Sequence, residues 1–195
     1  LIGARFGHFL DRPLRPLLRR IKINPNLLTV TGFLITAAAS CVIAFNLRAG
    51  GALMLFGGLF DMIDGMVART QGKETAFGAF LDSSLDRYSD AMMFLGLSWY
   101  MGSKGDHAAV YLSLGTMIGA FLISYVRAKA EALGIECETG IMERPERVML
   151  LSFGALTGWM LPVLYIMFTL THLTVFQRFF HVFRQLRRDT LNKSK

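Results

Sequence analysis

The sequence predicts an all-α integral membrane protein: an N-terminal amphipathic surface helix followed by six transmembrane helices, built as one domain over residues 1–195. Three observations carry that reading. Hydrophobic residues make up 53% of the chain and charged ones 18%, with a mean hydropathy of +0.43, too apolar for an ordinary soluble domain. Leu27–Leu47 and Ala108–Val126 are each essentially uncharged over about the 20 residues a helix needs to cross a bilayer. If six helices alternate across the membrane, only Arg48 and Lys104 of the 21 Lys and Arg residues fall on one face, Arg87 lies within a span, and the rest collect on the other face.

Residues 1–22 place Phe6, Phe9, Leu10, Leu14, Leu17 and Leu18 at three- and four-residue spacing with Arg12, Arg15 and Arg19 between them, the pattern of a helix lying in the interface. Pro13 and Pro16 interrupt it. It lacks the uninterrupted apolar core and small-residue cleavage site of a secretory signal. The six-helix bundle is expected over 26–188. Leu27–Leu47 is its first span; Ala49–Phe60 opens the second and Ala91–Met101 closes the third, provided that the acids between them sit inside helices. Ala108–Val126 is the fourth.

The uncharged run Val148–Gln177 would measure about 45 Å as one helix, long for one crossing and short for two. Gly158 and Pro162 offer a turn near its middle, and a start at Pro145 lengthens the first half, so two spans are expected. A five-span chain would put the basic tail on the wrong face; six spans place both termini in the cytoplasm. The net charge of +7 is then explained by cytoplasmic flanks and anionic lipid, and no nucleic-acid partner is implied. Cys41 and Cys137 suggest neither a disulfide framework nor a metal cluster.

The stretch Asp61–Asp86, "DMIDGMVARTQGKETAFGAFLDSSLD", sets carboxylates among apolar segments. A carboxylate facing lipid is costly, so these must face protein, water or a cation. Asp61, Asp64, Gly65 and Ala68 share one helical stripe, and Gly78, Asp82 and Asp86 share another. The short polar link "RTQGKETAF" predicts that the two helices are antiparallel neighbours whose acidic stripes meet near the cytoplasmic surface. Clustered negative charges in a low dielectric call for neutralisation, which a divalent cation does best. An all-oxygen donor set favours Mg²⁺ or Mn²⁺, admits Ca²⁺ as a non-productive occupant and disfavours zinc. The bland alternative is an ionic clamp in which Arg69 and Arg87 pair with the acids. Gly65, Ala68 and Gly78 leave room for close approach by a ligand or by another helix.

The pattern Asp61-x2-Asp64-Gly65-x2-Ala68-Arg69-x8-Gly78-x3-Asp82-x3-Asp86 resembles, position by position, the signature of the CDP-alcohol phosphatidyltransferase family. The resemblance covers essentially the whole chain and implies a surface helix, six spans and a homodimer. It also implies transfer of a phosphatidyl group from a CDP-linked lipid to an acceptor hydroxyl, with release of CMP. By the same resemblance Asp61, Asp64 and Asp82 bind metal, and Asp86 is the general base and a ligand of a second ion, so two ions of Mg²⁺ or Mn²⁺ are expected. Gly65, Ala68 and Gly78 would let the cytidine diphosphate lie against the helices; Arg69 would contact the nucleotide or pair with an acid. Pro25, Asn26 and Thr29 in "NPNLLTVTG" resemble the family's nucleotide-side feature, with a helix N-cap as the competing role for Asn26.

The stretch "SYVRAKAEALGIECETGIMERPERVMLL" resembles the phosphatidylinositol phosphate synthases of that family and their archaeal counterparts. That implies an acceptor site in which Arg127, Arg147 and Arg178 bind the phosphate of inositol phosphate, with Lys129 and Arg144 as flanking assistants. Arg127 stands where the bacterial synthases often have Lys, which keeps the charge but changes the donor geometry. Glycerol 3-phosphate, serine or another alcohol are the alternative acceptors. A cation transporter is the alternative from another class, since it too keeps acids within helices.

Overall fold

A computed structural model describes residues 24–193, with side chains to residue 188; the surface helix expected over 1–22 lies outside the described residues. The described chain is all-helical: α1 Pro25–Ile43, α2 Leu47–Gln71, α3 Ala76–Ser103, α4 His107–Ala132, α5 Arg144–Thr157 and α6 Met160–Lys193. Helices α1, α2, α4 and α6 are long and apolar enough to cross a membrane. Of the other two, α3 carries Asp82, Asp86, Arg87 and Asp90 along its length, and α5, with Arg144, Glu146 and Arg147, has only 14 residues.

Local chemistry sets the helix ends. The Oδ1 of Asn24 accepts the Asn26 N–H at 3.0 Å, so Asn24 caps α1 and Asn26 lies inside it; the cap role considered for Asn26 belongs to its neighbour. The expected first span, Leu27–Leu47, is cut short by a turn at Ala44–Asn46, because Asn46 caps α2 by accepting the Ala49 N–H at 3.1 Å. Gly72 ends α2 in the left-handed region (φ 62°), and Thr75 starts α3 by accepting the Gly78 N–H at 2.9 Å. The turn expected near Gly158 is present: Gly158, at φ 83°, closes α5, and Pro162 lies in the first turn of α6.

Helix α1 packs against both α2 and α3; α2 packs on α5, α3 on α4, and α6 on α4 and α5. Small residues make these approaches close. A methyl group on Gly57 would stand 2.7 Å from the Thr36 Oγ1, and one on Gly119 2.7 Å from the Thr171 Cγ2. The Ser40 hydroxyl donates to the Met92 carbonyl and ties α1 to α3. The core runs through Met54, Met93, Phe94, Leu97, Leu164 and Met167, whereas Phe45, Phe56, Tyr111 and Phe176 are exposed, as an apolar solvent permits. Trp99 and Trp159 are exposed at the end of the bundle that carries Arg48 and Lys104, the position favoured by interfacial aromatic residues.

The two acid-bearing helices make little direct contact with each other. The short link predicts antiparallel neighbours with meeting stripes; the stripes do meet, since Asp61 and Asp86 share the Arg144 guanidinium of α5, while α1 lies against both helices. Bringing two carboxylate-bearing stripes into direct contact would bury like charges side by side, and a guanidinium between them removes that repulsion.

Candidate active site

Asp61 and Asp64 stand on the α2 stripe with Gly65 and Ala68, and Asp82, Asp86 and Asp90 follow one another by single turns on α3. Asp64 is 4% exposed. Its carboxylate lies within hydrogen-bonding reach of Thr29, whose hydroxyl donates to the Pro25 carbonyl at 3.1 Å, yet its Oδ2 is buried without a hydrogen-bond partner. Asp61, Asp82 and Asp86 feel one another's charge, and all three feel Arg144.

Arg144 stands at the centre of the cluster. Its Nη1 donates to the Asp61 Oδ2, lies 2.7 Å from the Asp86 Oδ1, and its Nε is 3.7 Å from the Asp90 Oδ1. Expected to flank the acceptor phosphate, this residue pairs with the acids in this structure. The physical reason is Coulombic: clustered carboxylates draw the nearest cation, and α5 begins beside them. The clamp considered for Arg87 is weak, with its Nη1 3.7 Å from the Asp86 Oδ2 and its side chain 40% exposed.

The acids also fit a divalent cation. The donor set is all oxygen, and the partnerless Oδ2 of Asp64 is a buried lone-pair group lacking the bond that burial demands. Among the described residues no three such side chains are gathered in coordination geometry, since Arg144 lies between them.

The residues expected on the nucleotide side are grouped with the acids along α1, α2 and α3. A methyl group on Gly78 would stand 3.0 Å from the Asn26 Oδ1, which sets Asn26 of α1 against the start of α3. The Arg69 guanidinium folds back over Gly65, where an added methyl would meet its Nη1 at 3.2 Å. Pro25 and Thr29 are buried in the first turns of α1, and Ala68 is half-buried on the stripe of Asp64.

The basic residues divide. Arg147 and Arg178 are 3% and 2% exposed, whereas Arg127 and Lys129 are exposed. Arg147 donates from Nη2 to the Asp90 Oδ2 at 2.6 Å. Arg178 donates to the Thr139 carbonyl at 2.7 Å and to the Ile123 carbonyl at 2.8 Å, stapling the loop before α5 to α4 and α6; these bonds use two of a guanidinium's five donors. Arg127 pairs with Glu131 at 2.8 Å on its own helix. The charges of Arg127, Arg147 and Glu143 all act on Arg178, so arginines from α4, α5 and α6 do share one neighbourhood.

Asp90 was missed in the sequence, although it continues the four-residue period of Asp82 and Asp86. It joins the two charge clusters: Asp86 to Arg144 at 2.7 Å, Arg144 to Asp90 at 3.7 Å, Asp90 to Arg147 at 2.6 Å. A cavity of about 510 Å³ lined by Asn46, Arg48, Tyr100 and Asp106 lies at the other end of the bundle and shares no residue with these clusters.

The family model described as CDP-alcohol phosphatidyltransferase matches residues 22–183. The chain is 36% identical over 190 residues to the archaetidylinositol phosphate synthase of Methanothermobacter thermautotrophicus, covering 94% of this chain and 95% of that protein. It is 38% identical over 154 residues to the phosphatidylinositol phosphate synthase of Mycobacteroides abscessus, covering 75% of this chain and 68% of that protein. Crystal structures of the Mycobacterium tuberculosis phosphatidylinositol phosphate synthase resemble its fold. The one with CDP-DAG bound has a TM-score of 0.78 at 32% identity and covers 88% of this chain and 92% of its own. The complex with manganese and citrate has a TM-score of 0.79 at 31% identity and covers 89% and 88%.

Proposed function

The chain belongs to the CDP-alcohol phosphatidyltransferase family, and from that premise we propose that it transfers the phosphatidyl group of CDP-diacylglycerol, or its ether-lipid equivalent, to a hydroxyl of inositol phosphate. The acceptor oxygen bonds to the lipid-bearing phosphorus, the diphosphate bond on its far side breaks, and CMP leaves with the bonding pair. The observation that carries this reading is the continuity of the two charge clusters, which puts an anion-binding neighbourhood of arginines next to a carboxylate cluster suited to a cation-bridged diphosphate.

In this reading Asp61, Asp64, Asp82 and Asp86 hold two ions of Mg²⁺ or Mn²⁺, a choice supported by the oxygen donors, the partnerless Asp64 Oδ2 and the manganese in the mycobacterial complex. Bound there, the ions would neutralise charge building on the transferred phosphoryl group and on departing CMP. Asp86 takes the proton of the acceptor hydroxyl. Gly65, Ala68 and Gly78 admit the nucleotide, with Asn26, Thr29, Pro25 and Arg69 beside it. Arg147 and Arg178, aided by Arg127 and flanked by Lys129, hold the acceptor phosphate through charge-assisted bonds. Arg144 balances the acids.

Helices α3 and α5 complete six spans in this reading, with the active site and both termini in the cytoplasm, on the strength of the Lys and Arg asymmetry. The functional unit is a homodimer, following the family pattern.

CMP release from CDP-diacylglycerol, measured against inositol phosphate, glycerol 3-phosphate, serine and inositol, tests the acceptor. Arg147→Gln is expected to raise KM for inositol phosphate by at least about tenfold, or about 1.4 kcal/mol, with the KM of the CDP-lipid little changed. Loss of donor affinity with acceptor affinity intact would move Arg147 to the diphosphate side. Turnover with serine or inositol alone would overturn the phosphorylated acceptor.

Arg144→Gln is expected to tighten Mn²⁺ binding by at least about threefold in calorimetric titrations without nucleotide, because the guanidinium and the cation compete for the same carboxylate oxygens. Weaker binding in the variant would mean that Arg144 organises the acids for the metal.

A further inference from the structure

We propose that Asp90 is a positioning residue that sets the orientation of Arg147 and thereby the enzyme's affinity for a phosphorylated acceptor; the proposal rests on the reading of Arg147 as an acceptor-phosphate residue. Asp90 continues the period of Asp82 and Asp86, but its surroundings differ from theirs. It is 3% exposed, and its Oδ2 holds the Nη2 of an equally buried Arg147 at 2.6 Å. The other bond to Arg147, from Nη1 to the Met142 carbonyl, is 3.5 Å long, at the limit of a hydrogen bond. Asp90 is therefore the strong anchor of that guanidinium.

The pairing leaves capacity unused on both partners. The Asp90 Oδ1 and the Arg147 Nε are both buried without a hydrogen-bond partner, as is the Nε of Arg144, 3.7 Å from that Oδ1. A pair serving stability alone would be expected to satisfy these groups, since each unsatisfied one costs free energy. An arginine held at one edge, with a donor unfilled, is what anion capture needs.

Position along α3 supplies the functional consequence. Asp90 lies one turn, about 6 Å, beyond Asp86. An Arg147 anchored to Asp90 is thus held at a set remove from the carboxylate that takes the hydroxyl proton. That spacing selects acceptors whose phosphate and reacting hydroxyl are separated to match.

Asp90→Asn keeps the shape and an acceptor oxygen but removes the charge. It is expected to raise KM for inositol phosphate at least fivefold, with the KM of the CDP-lipid and kcat within twofold of wild type. In the Arg147→Gln background the same change should add nothing, because its effect travels through Arg147. A lowered Tm with both KM values unmoved would make the pair a structural clamp and overturn the proposal, as would an undiminished Asp90→Asn effect in the Arg147→Gln background. If Asp90→Asn does not fold, Asp90→Glu retains the charge and displaces the carboxylate along its arm; the same acceptor-only rise is expected, and a wild-type acceptor KM would overturn the proposal. Should Arg147→Gln itself leave the acceptor KM unchanged, the acceptor reading fails and takes this proposal with it; a raised KM in Arg147→Gln alone removes only the role of Asp90.

Discussion

Asp86→Asn is expected to lower kcat by about 10²–10⁴-fold, the usual contribution of a positioned general base, while CDP-lipid binding stays measurable. Asparagine matches the shape of aspartate but accepts no proton from an attacking hydroxyl. Asp61, Asp64 and Asp82 remain to hold a cation and, through it, the donor diphosphate. The structure adds a requirement to this reading. The Asp86 Oδ1 lies 2.7 Å from the Arg144 Nη1 and its Oδ2 3.7 Å from the Arg87 Nη1, so the oxygen that takes the proton must be free of Arg144 when the acceptor is bound. Single-turnover CMP release beside CDP-dependent thermal protection separates chemistry from binding. Binding lost in step with rate would make Asp86 chiefly a metal ligand.

Asp64→Ala is expected to weaken Mn²⁺ binding and CDP binding together, each by at least about tenfold or about 1.4 kcal/mol, and to remove most of the dependence of CDP affinity on Mg²⁺. The cation is the link between the carboxylate and the diphosphate, so both affinities fall with one side chain. Thermal stability in the absence of metal should not drop with them. A buried acceptor without a partner costs about 1–3 kcal/mol, and the Asp64 Oδ2 is one, so deleting it offsets the lost packing. Wild-type CDP affinity with unchanged Mg²⁺ dependence would remove Asp64 from the metal site. A large fall in metal-free Tm would make its role structural.

Much of the architecture was legible in local chemistry. The uncharged runs marked spans, and the glycine near the middle of Val148–Gln177 marked the turn between α5 and α6. Helix ends were read less well. Leu27–Leu47 has no charge to interrupt it, yet Asn46 offers its side chain to the Ala49 N–H and starts a new helix there. Asn26 was weighed as a cap although Asn24, two residues earlier, satisfies the free N–H. Asp90 is legible in principle as the next step of a four-residue period, but it lies beyond the family pattern, which ends at Asp86.

By itself, then, the sequence determined that the chain is helical and membrane-embedded, that its acids lie on two helical stripes, and which family it belongs to. The first two follow from composition and 3.6-residue periodicity, and the family from the resemblance of one motif to a known signature. Only the tertiary structure decided that α1 lies against both α2 and α3 and that Arg144 sits among the acids. It likewise decided that Arg147 is anchored on Asp90 and that Arg178 ties the loop before α5 to its neighbours. Those arrangements depend on which helices meet, and in a bilayer apolar faces meet lipid as readily as one another. The choice therefore falls to small-residue seams such as Gly57 on Thr36 and to the Coulombic pull between charges far apart in sequence, neither of which has a local period to read.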